Sequence, residues 1–299
     1  MSIDSIQAFH RRCKELTVLR KGSPLKRLFA GSAAHFSGLR LLLRYSLCPP
    51  PLTDSLPQDA PFIVSLTSFP PRIKHLWMVI DTLMRQTCRP AAINLVLCES
   101  EFPDRKLPSK LQRYTACGLR IMWVEENLKP HKKYYYSFLE ELAGKKRCVI
   151  TVDDDIFYPS DTLERLLTMH AEAPEAVCAN YVMKNSAGRC SDWTHVYEPV
   201  KASAGYTPIG FGGILYPSEF YGHSFILDKE TFMRLCPGTD DLWMRYCEEK
   251  SGTPVSTGAF FPHPPAIPRS ERNSLAKDNV RRGNNDKVWE SLNALKENC

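Results

Sequence analysis

Short apolar runs alternate with longer segments of helical periodicity from Pro61 onward. The apolar runs predict strands at 62–66, 93–100, 119–126 and 148–152. The periodic segments predict helices at 75–86, 110–117, 133–143 and 160–173, two of them closed by Gly118 and Gly144. Strands separated by helices favour right-handed crossovers and a mainly parallel sheet. We therefore expect an α/β fold whose ligands bind beyond the carboxyl ends of the strands.

The amino-terminal segment differs from this body in charge. Through Cys48 the chain carries nine Lys or Arg residues and two acidic residues, so the rest of the chain is nearly neutral. A helix near 36–47 would place Arg40 and Arg44 one turn apart and its leucines on another side. Such a helix either lies on an anionic membrane surface or packs on the body with a solvated basic face. The proline-rich stretch at 48–61 predicts a stiff linker.

The composition excludes several classes of protein. With 299 residues, 43% hydrophobic and 24% charged, the chain is globular rather than disordered. No apolar stretch is long enough to cross a membrane, and charge occupies the place of a signal peptide's apolar core, so we expect a cytoplasmic protein. The eleven cysteines include no CxxC pattern and are expected to stay reduced. The basic residues lie outside the main domain, without interleaved aromatic residues, so no nucleic-acid partner is expected.

A phosphate-binding loop is also missing from the sequence. The turn directly after the first predicted strand contains no glycine. The later stretch GFGGIL has Leu215 where the third glycine of a GxGxxG motif would stand. A nicotinamide dehydrogenase and a P-loop NTPase are therefore disfavoured.

Three consecutive carboxylates, Asp153, Asp154 and Asp155, directly follow the fourth predicted strand. Two like charges about 4 Å apart repel by ~4 kcal/mol at an effective dielectric of 20, and a divalent cation would relieve this. Carboxylate ligands suit Mg²⁺ or Mn²⁺. In an extended segment alternate side chains share one side, so Asp153 and Asp155 should converge while Asp154 points away. The alternative, that the three cap the next helix, is weakened because Ser160 or Asp161 can do so.

The segment VITVDDDIFYPSDTL resembles the DXD segment of GT-A-type, nucleotide-sugar-dependent glycosyltransferases, in particular bacterial enzymes of capsule and lipopolysaccharide synthesis. SLTSFPPRI, KPHKKYYYSFL, GFGGILYP and TDDLWM match that group in the same order, so the resemblance covers 61–268. It implies a GT-A fold, a single Rossmann-like mixed sheet flanked by helices, here with a helical amino-terminal appendage. It also implies transfer of a hexose from a nucleotide-diphosphate sugar, most simply a UDP-sugar, with Mn²⁺ or Mg²⁺ as cofactor.

The resemblance also implies a division of the chain. Residues 1–60 form the basic helical segment and linker, and residues 61–299 form the glycosyltransferase domain. Within the domain, 61–160 is the nucleotide-binding half, while 161–299 is the acceptor-binding half with a final helix. The implied acceptor is a bacterial surface glycan or a lipid-linked glycan, with possible peripheral contact at the inner face of the cytoplasmic membrane.

In the first half, the resemblance implies roles for residues that end or follow the strands. Asp155 and Asp153 ligate the metal, and Asp153 also reaches the ribose or the metal's waters. The residues implied to bind the nucleotide sugar are Thr67, Ser68, Arg72, Glu99, Lys132, Lys133, Asp153 and Asp154. Among these, Glu99 matches the place that holds the uracil base, and the two lysines match a diphosphate-binding pair. Arg72 and the lysines could instead be solvated charges, and Glu99 could simply begin a loop.

In the second half, Asp241 matches the catalytic base, with Asp240 beside it as a second candidate or as a helix N-cap. This favours an inverting, single-displacement reaction. Gly212 and Gly213, with Tyr216, either line the sugar pocket or form a tight turn into a strand. His263 either completes the metal site or is a loop histidine. Further candidates are sugar-stacking or core aromatics (Tyr221, His223, Trp243), diphosphate-binding or solvated arginines (Arg281, Arg282) and caps of the last helix (Asn284, Asn285, Asp286).

Two other functions compete with glycosyl transfer. A Mg²⁺-dependent phosphohydrolase of the haloacid-dehalogenase type also places DxD after an apolar strand, but it would want Thr or Val where this chain has Phe157. A degenerate transferase domain could also serve as a scaffold for glycan assembly, although the intact Asp153, Asp155 and Asp241 argue against it.

Overall fold

The computed structural model describes residues 1–186, 188–268, 270 and 283–297. Its helices are α1 Ile3–Val18, α2 Pro24–His35, α3 Ser37–Leu47, α4 Pro70–Met84, α5 Ser109–Gln112, α6 Lys132–Ala143, α7 Thr162–Glu172, α8 Ser218–Tyr221, α9 Lys229–Leu235, α10 Asp240–Ser251 and α11 Asn284–Glu297. Its strands are β1 Phe62–Thr67, β2 Ile93–Cys98, β3 Leu119–Val124, β4 Cys148–Thr151, β5 Val177–Ala179, β6 Val182–Lys184, β7 Thr194–His195, β8 Val200–Ser203, β9 Tyr206–Pro208, β10 Ile214–Tyr216 and β11 Val255–Thr257.

One eight-stranded mixed sheet organises the molecule, in the order β3-β2-β1-β4-β10-β5-β11-β8. Strands β1 to β4 pair in parallel, whereas β10 runs antiparallel between β4 and β5. Because β10 is reversed, the turn that precedes it lies at the same sheet edge as the residues that follow β4. A smaller antiparallel sheet, β7-β6-β9, stands beside the large one.

Alternate residues of the central strands face opposite helical layers, as the period of two in a strand requires. In β1, Phe62, Val64 and Leu66 join the core that includes α4 and α7, while Ile63 joins the core that includes α6 and α10. Every residue of β2 is buried. Strands covered on both faces are largely apolar, and that is why apolar runs mark β1, β2 and β4 in the sequence.

The amino-terminal helices α1 and α3 pack directly on the body. Ile6, Leu41 and Tyr45 belong to the same core cluster as β1 and α4. A Cβ added at Gly38 of α3 would come within 2.3 Å of the Ala266 carbonyl oxygen, so this helix touches the backbone of a late segment of the chain. In the described part of the chain, no helix combines the length and the apolar character needed to cross a bilayer.

The predicted fold class is confirmed: one mixed sheet flanked by helices, preceded by amino-terminal helices, is the architecture expected of the GT-A type. One local expectation is wrong. Helix α7 begins at Thr162 after Asp161, yet the Asp161 side chain makes no capping hydrogen bond. Its carboxylate lies 2.5 Å from the Arg11 guanidinium of α1 instead.

Candidate active site

The three aspartates lie in the turn that follows β4, which ends at Thr151. The Asp153 N–H donates to the hydroxyl of the buried Tyr158 at 2.8 Å. The Ile267 N–H donates to the Asp155 carbonyl at 2.7 Å, so the late segment near residue 267 is attached to this turn. The turn is therefore held from both sides by hydrogen bonds to its backbone.

Arg72, in the first turn of α4, lies against two of the aspartates. Its guanidinium is 2.5 Å from Asp154 Oδ1 and 3.2 Å from Asp155 Oδ2. The Ser68 hydroxyl donates to the other Asp154 oxygen at 2.6 Å. The expectation that Asp154 points away from Asp155 is wrong, because both carboxylates lie against Arg72. The chain turns at 154–155 instead of continuing as a strand, and Asp154 and Asp155 share one cation.

Lys133, in the first turn of α6, joins the first half of the domain to the second. Its Nζ lies 3.1 Å from Asp153 Oδ1 and 2.7 Å from Asp240 Oδ2, and its side chain is only 8% exposed. Burial alone would lower the pKa of Lys133, but Asp153, Asp240 and Asp241 outweigh it and hold that pKa well above its usual value. Lys133 is therefore a permanent cation between two carboxylates.

Gly210, in the turn before β10, is the point at which these groups meet. Its N–H donates to Asp241 Oδ2 at 3.3 Å. A Cβ built on Gly210 would lie 2.9 Å from Lys133 Nζ, 3.2 Å from Asp241 Oδ1 and 3.4 Å from Asp153 Oδ1. Since real Cβ atoms do not approach other atoms as closely as 2.9 Å, only a residue without a side chain fits here unless Lys133 moves.

The charges of this cluster are only partly balanced. Arg72 is paired with Asp154 and Asp155, and Lys133 is paired with Asp153 and Asp240, so two cations face four of the five carboxylates. Burial raises the pKa of Asp155 to about 6, although Arg72 opposes the shift. Burial, reinforced by the neighbouring Asp240, raises the pKa of Asp241 to about 7. The cluster therefore favours binding of additional positive charge.

The donor set fits a small divalent cation that brings further oxygen ligands with it. Among the described residues, no group of three His, Cys, Asp or Glu side chains forms a ready metal site. Mg²⁺-like ions are commonly held by one or two carboxylates together with phosphate oxygens and water, so a complete protein cage is not required. Asp153 and Asp155, which follow β4, stay the carboxylates predicted to hold the ion.

His263 lies beside the turn before β10. Its imidazole stacks on Phe211 with ring centroids 4.1 Å apart, and its Nδ1 is 2.8 Å from the Pro264 carbonyl oxygen. Its own carbonyl accepts a hydrogen bond from His10 of α1 at 2.9 Å. The side chain is exposed, so a role as a metal ligand stays a prediction.

Three residues expected to contact the nucleotide have other partners. The Thr67 hydroxyl donates to the Val96 carbonyl at 2.8 Å, which ties β1 to β2. Glu99 is paired with Arg105. The buried Lys132 amine lies 2.6 Å from Glu101 Oε2 and also donates to Asn127. Of the adjacent lysines, only Lys133 faces the aspartates, because neighbouring positions on a helix point in different directions.

The glycines before β10 form a tight turn, one of the two predicted roles, while their contact with a sugar stays a prediction. A Cβ at Gly212 would lie 3.3 Å from Asn180 Cβ, and Gly213 has a φ of +83° that favours glycine. The Asn180 side chain also donates to the Gly212 carbonyl at 3.0 Å. Tyr216, the last residue of β10, is buried in the hydrophobic core.

Two of the candidate stacking aromatics are core residues. Tyr221 is fully buried and donates to the Arg147 carbonyl, and the Trp243 indole donates to the Ile226 carbonyl at 2.9 Å. Their polar atoms are satisfied inside the protein, as is usual for buried Tyr and Trp. His223 is exposed and stacks on Phe225.

At the carboxyl end, α11 begins at Asn284. Asp286, predicted to cap this helix, accepts a hydrogen bond from the Ser191 N–H at 2.9 Å and so connects the helix to a neighbouring loop. The Asn285 carbonyl accepts from the Cys190 thiol. Arg281 and Arg282 lie outside the described residues.

Sequence reasoning missed Gly210 and Tyr158, which shape the site. The glycine-rich stretch is visible in the sequence, but nothing local distinguishes Gly210 from Gly212 and Gly213 as the contact point for Lys133. Tyr158 follows the aspartates closely and its hydroxyl could have been expected to reach back to them. His131 was also missed: it is buried beside Asp240, and burial lowers its pKa to about 4, so it is neutral.

A cavity of about 390 Å³ opens at the opposite, amino edge of the parallel strands. Its lining includes Arg120, Lys145 and Arg147. Arg120 is paired with Glu140 and Arg147 with Glu141, so most of this positive charge is already compensated.

No protein-family model matches the chain, and no curated protein matches its sequence. The fold is similar to several solved structures. S. aureus TarS 1-349 in complex with UDP matches at 16% identity and a TM-score of 0.46, over 69% of this chain and 59% of that one. The mannosyltransferase PcManGT from Pyrobaculum calidifontis, in complex with GDP-Man and Mn²⁺, matches at 13% identity and a TM-score of 0.46, over 96% and 75%. A 4-diphosphocytidyl-2C-methyl-D-erythritol synthase matches at 14% identity and a TM-score of 0.44, over 70% and 94%. The match thus spans about three-fifths of the TarS chain.

Proposed function

We propose that this protein is a metal-dependent glycosyltransferase that moves a hexose from a nucleotide-diphosphate sugar, most simply a UDP-sugar, to a glycan or lipid-linked glycan acceptor. One observation carries the proposal. Asp153 after β4, Lys133 of α6 and Asp241 of α10 converge on the backbone of Gly210 at the carboxyl edge of the sheet. Segments that match the glycosyltransferase motifs in the sequence thus come together in one place.

Asp153 and Asp155 would hold Mn²⁺ or Mg²⁺, which as a Lewis acid supplies charge neutralisation for the leaving diphosphate. The remaining requirement is removal of a proton from the acceptor hydroxyl. Asp241 suits this role because its pKa is raised to about 7 by burial and by Asp240, so at neutral pH a substantial fraction is deprotonated and still basic. A base on a side chain separate from the metal carboxylates favours an inverting single displacement.

The other carboxylates position these groups. Asp240 binds Lys133 at 2.7 Å, and burial of Asp240 is outweighed by Lys133, so that the pKa of Asp240 is lowered. Asp154 is occupied by Arg72 and Ser68 and fixes the turn rather than presenting a free ligand.

Calorimetry with UDP and Mn²⁺ tests the nucleotide site, and release of UDP from UDP-sugars tests turnover. We expect UDP binding that requires the metal, and loss of that binding and of turnover in Asp155→Ala. Asp241→Asn should keep UDP binding but lose transfer, by roughly 10²–10⁴-fold for a general base. Asp104→Ala, at an exposed carboxylate of the body, is the matched control and should behave like the wild type.

Unchanged turnover in a folded Asp155→Ala protein would remove the metal-site assignment. Phosphate release from a generic phosphoester without UDP binding would replace it with a phosphohydrolase. A wild-type protein that binds no nucleotide sugar with either metal would instead indicate a scaffold.

A further inference from the structure

Helices α2 and α3 expose large apolar side chains to solvent. We define the amino-terminal apolar face by Leu25, Leu28, Phe29, Phe36, Leu39, Leu43 and Leu47, all of which are exposed. Phe29 is 68% exposed and Leu47 is 78% exposed. Seven large apolar side chains exposed within 23 consecutive residues of a folded protein indicate a binding surface.

The spacing of these residues places them on one side of each helix. In α2, Leu25, Leu28 and Phe29 lie three and four positions apart, and in α3, Leu39, Leu43 and Leu47 each lie one turn apart. Phe36 connects the two helices.

The inward sides of the two helices are already filled. In α2 the small residues Ala30 and Ala34 pack on Cys13 of α1. In α3, Leu41 and Tyr45 are fully buried in the main core. Helix α2 therefore buries its smallest residues and exposes its largest apolar ones, the reverse of an ordinary helix on a soluble protein.

The charged residues of the segment that carries this face are of one sign. Residues 16–53 contain six Lys or Arg residues and no Asp or Glu. Lys21, Lys26 and Arg40 are exposed beside the apolar residues. A partner must therefore accept apolar side chains and be negatively charged.

An anionic lipid surface meets both conditions. Apolar side chains enter the boundary between headgroups and acyl chains while nearby Lys and Arg contact the anionic headgroups. A second copy of this chain would bring the same positive charge across a two-fold interface. We propose that the amino-terminal apolar face, with its flanking basic residues, binds the surface of an anionic membrane.

The contacts of α1 connect this face to the candidate active site. The Gln7 side chain donates to the Tyr158 carbonyl at 2.9 Å, and His10 lies 2.9 Å from the His263 carbonyl. Since α2 packs on α1, a membrane bound at this face would hold the site at a fixed position relative to the lipid. The membrane proposal stands on the surface alone and does not depend on glycosyl transfer.

Sedimentation of the full chain with phosphatidylcholine vesicles, with and without phosphatidylglycerol, tests the proposal. We expect binding to the vesicles that contain phosphatidylglycerol and its reduction by salt. The double variant Leu28→Ser/Phe29→Ser should bind more than about tenfold more weakly. Leu139→Ser, at an apolar side chain 41% exposed on α6, is the matched control and should bind like the wild type.

A second pair of variants tests the charges. Lys21→Gln/Lys26→Gln should weaken vesicle binding by about fivefold for each charge removed. Lys145→Gln/Lys146→Gln makes the same change of charge at exposed residues of the body and should have no effect. Each variant's circular dichroism spectrum and UDP binding report whether the body is intact.

Three results would overturn the proposal. One is equal binding to neutral and anionic vesicles. Another is equal loss of binding in the control variants. The third is absence of vesicle binding together with a concentration-dependent dimer that Leu28→Ser/Phe29→Ser abolishes, which would assign the face to a second copy. A wild-type chain that binds anionic vesicles but not UDP would count against the glycosyltransferase proposal only.

Discussion

Replacement of Gly210 by alanine tests the centre of the candidate site with one methyl group. Gly210 has no positive φ, so its backbone accepts alanine and the perturbation comes from contacts alone. The new Cβ would lie 2.9 Å from Lys133 Nζ, against 3.4 Å for the onset of ordinary contact. Lys133 must therefore withdraw by about half an ångström, away from a position between Asp153 and Asp240.

The expected effects on stability and activity differ in size. Overpacking at a buried position destabilises by roughly 1–3 kcal/mol, and we expect the lower part of that range because Nζ ends a flexible side chain. Activity should fall more, by about 10²-fold, since displacements near 1 Å in a catalytic arrangement have effects of that order. Urea denaturation measures the first quantity and single-turnover sugar transfer the second.

Gly31→Ala is the matched control. Gly31 lies inside α2, where a Cβ would meet only Thr17 at 3.6 Å, so alanine should stabilise the protein by about 0.5–1 kcal/mol through helix propensity. Its transfer rate should not change. If Gly210→Ala has wild-type transfer and UDP binding, the close approach of Lys133, Asp241 and Asp153 to this backbone has no part in function, and our reasoning fails.

Further predictions concern ionisation and pairing. Sugar transfer should rise as the pH passes about 7 while Asp241 loses its proton, and Asp240→Asn should move this rise to lower pH in a pH–rate profile, because it removes a like charge and releases Lys133. Burial raises the pKa of Glu248 from 4.5 to about 8, so its stabilising contribution is complete below pH 4.5 and is lost as the pH rises to 8. Glu248→Gln should remove about 3–4 kcal/mol of that dependence between pH 5 and pH 8, measured by urea denaturation. Arg72→Gln, which leaves a buried partner uncompensated, should destabilise by roughly 3 kcal/mol, whereas Arg105→Gln at an exposed pair should have an effect below about 1 kcal/mol in the same assay.

The sequence was sufficient to locate β1 to β4 and their helices. Strands β1, β2 and β4 are almost fully buried, so an apolar run is enough to mark them, and the edge strand β3 is also mostly apolar. The short strands of the second half gave weaker signals: β5, β10 and β11 have three residues each. Their places follow from pairing with β4 and with one another, and pairing between distant segments is not visible in local periodicity.

The site shows the same division between local and long-range information. The sequence alone shows that aspartates follow β4. It does not show that Arg72 pairs with Asp154 in the turn at 154–155, because the spacing of the two residues gives no sign of this contact. Likewise, helical geometry says that Lys132 and Lys133 point in different directions without saying which of them faces the aspartates. Glu101 and Asn127 bind Lys132, and Lys133 is therefore the lysine that faces the aspartates.

The roles of the adjacent acids Asp240 and Asp241 follow from the position of one lysine. Lys133 binds Asp240, which keeps that carboxylate ionised, while Asp241 accepts a hydrogen bond from the Gly210 N–H at 3.3 Å. Burial and the charge of Asp240 then raise the pKa of Asp241 to about 7. Two neighbouring carboxylates whose environments separate their pKa values can divide the work of charge balance and proton transfer. Since the same Lys133 also binds Asp153, one lysine connects the acid pair of α10 to the carboxylates proposed to hold the metal.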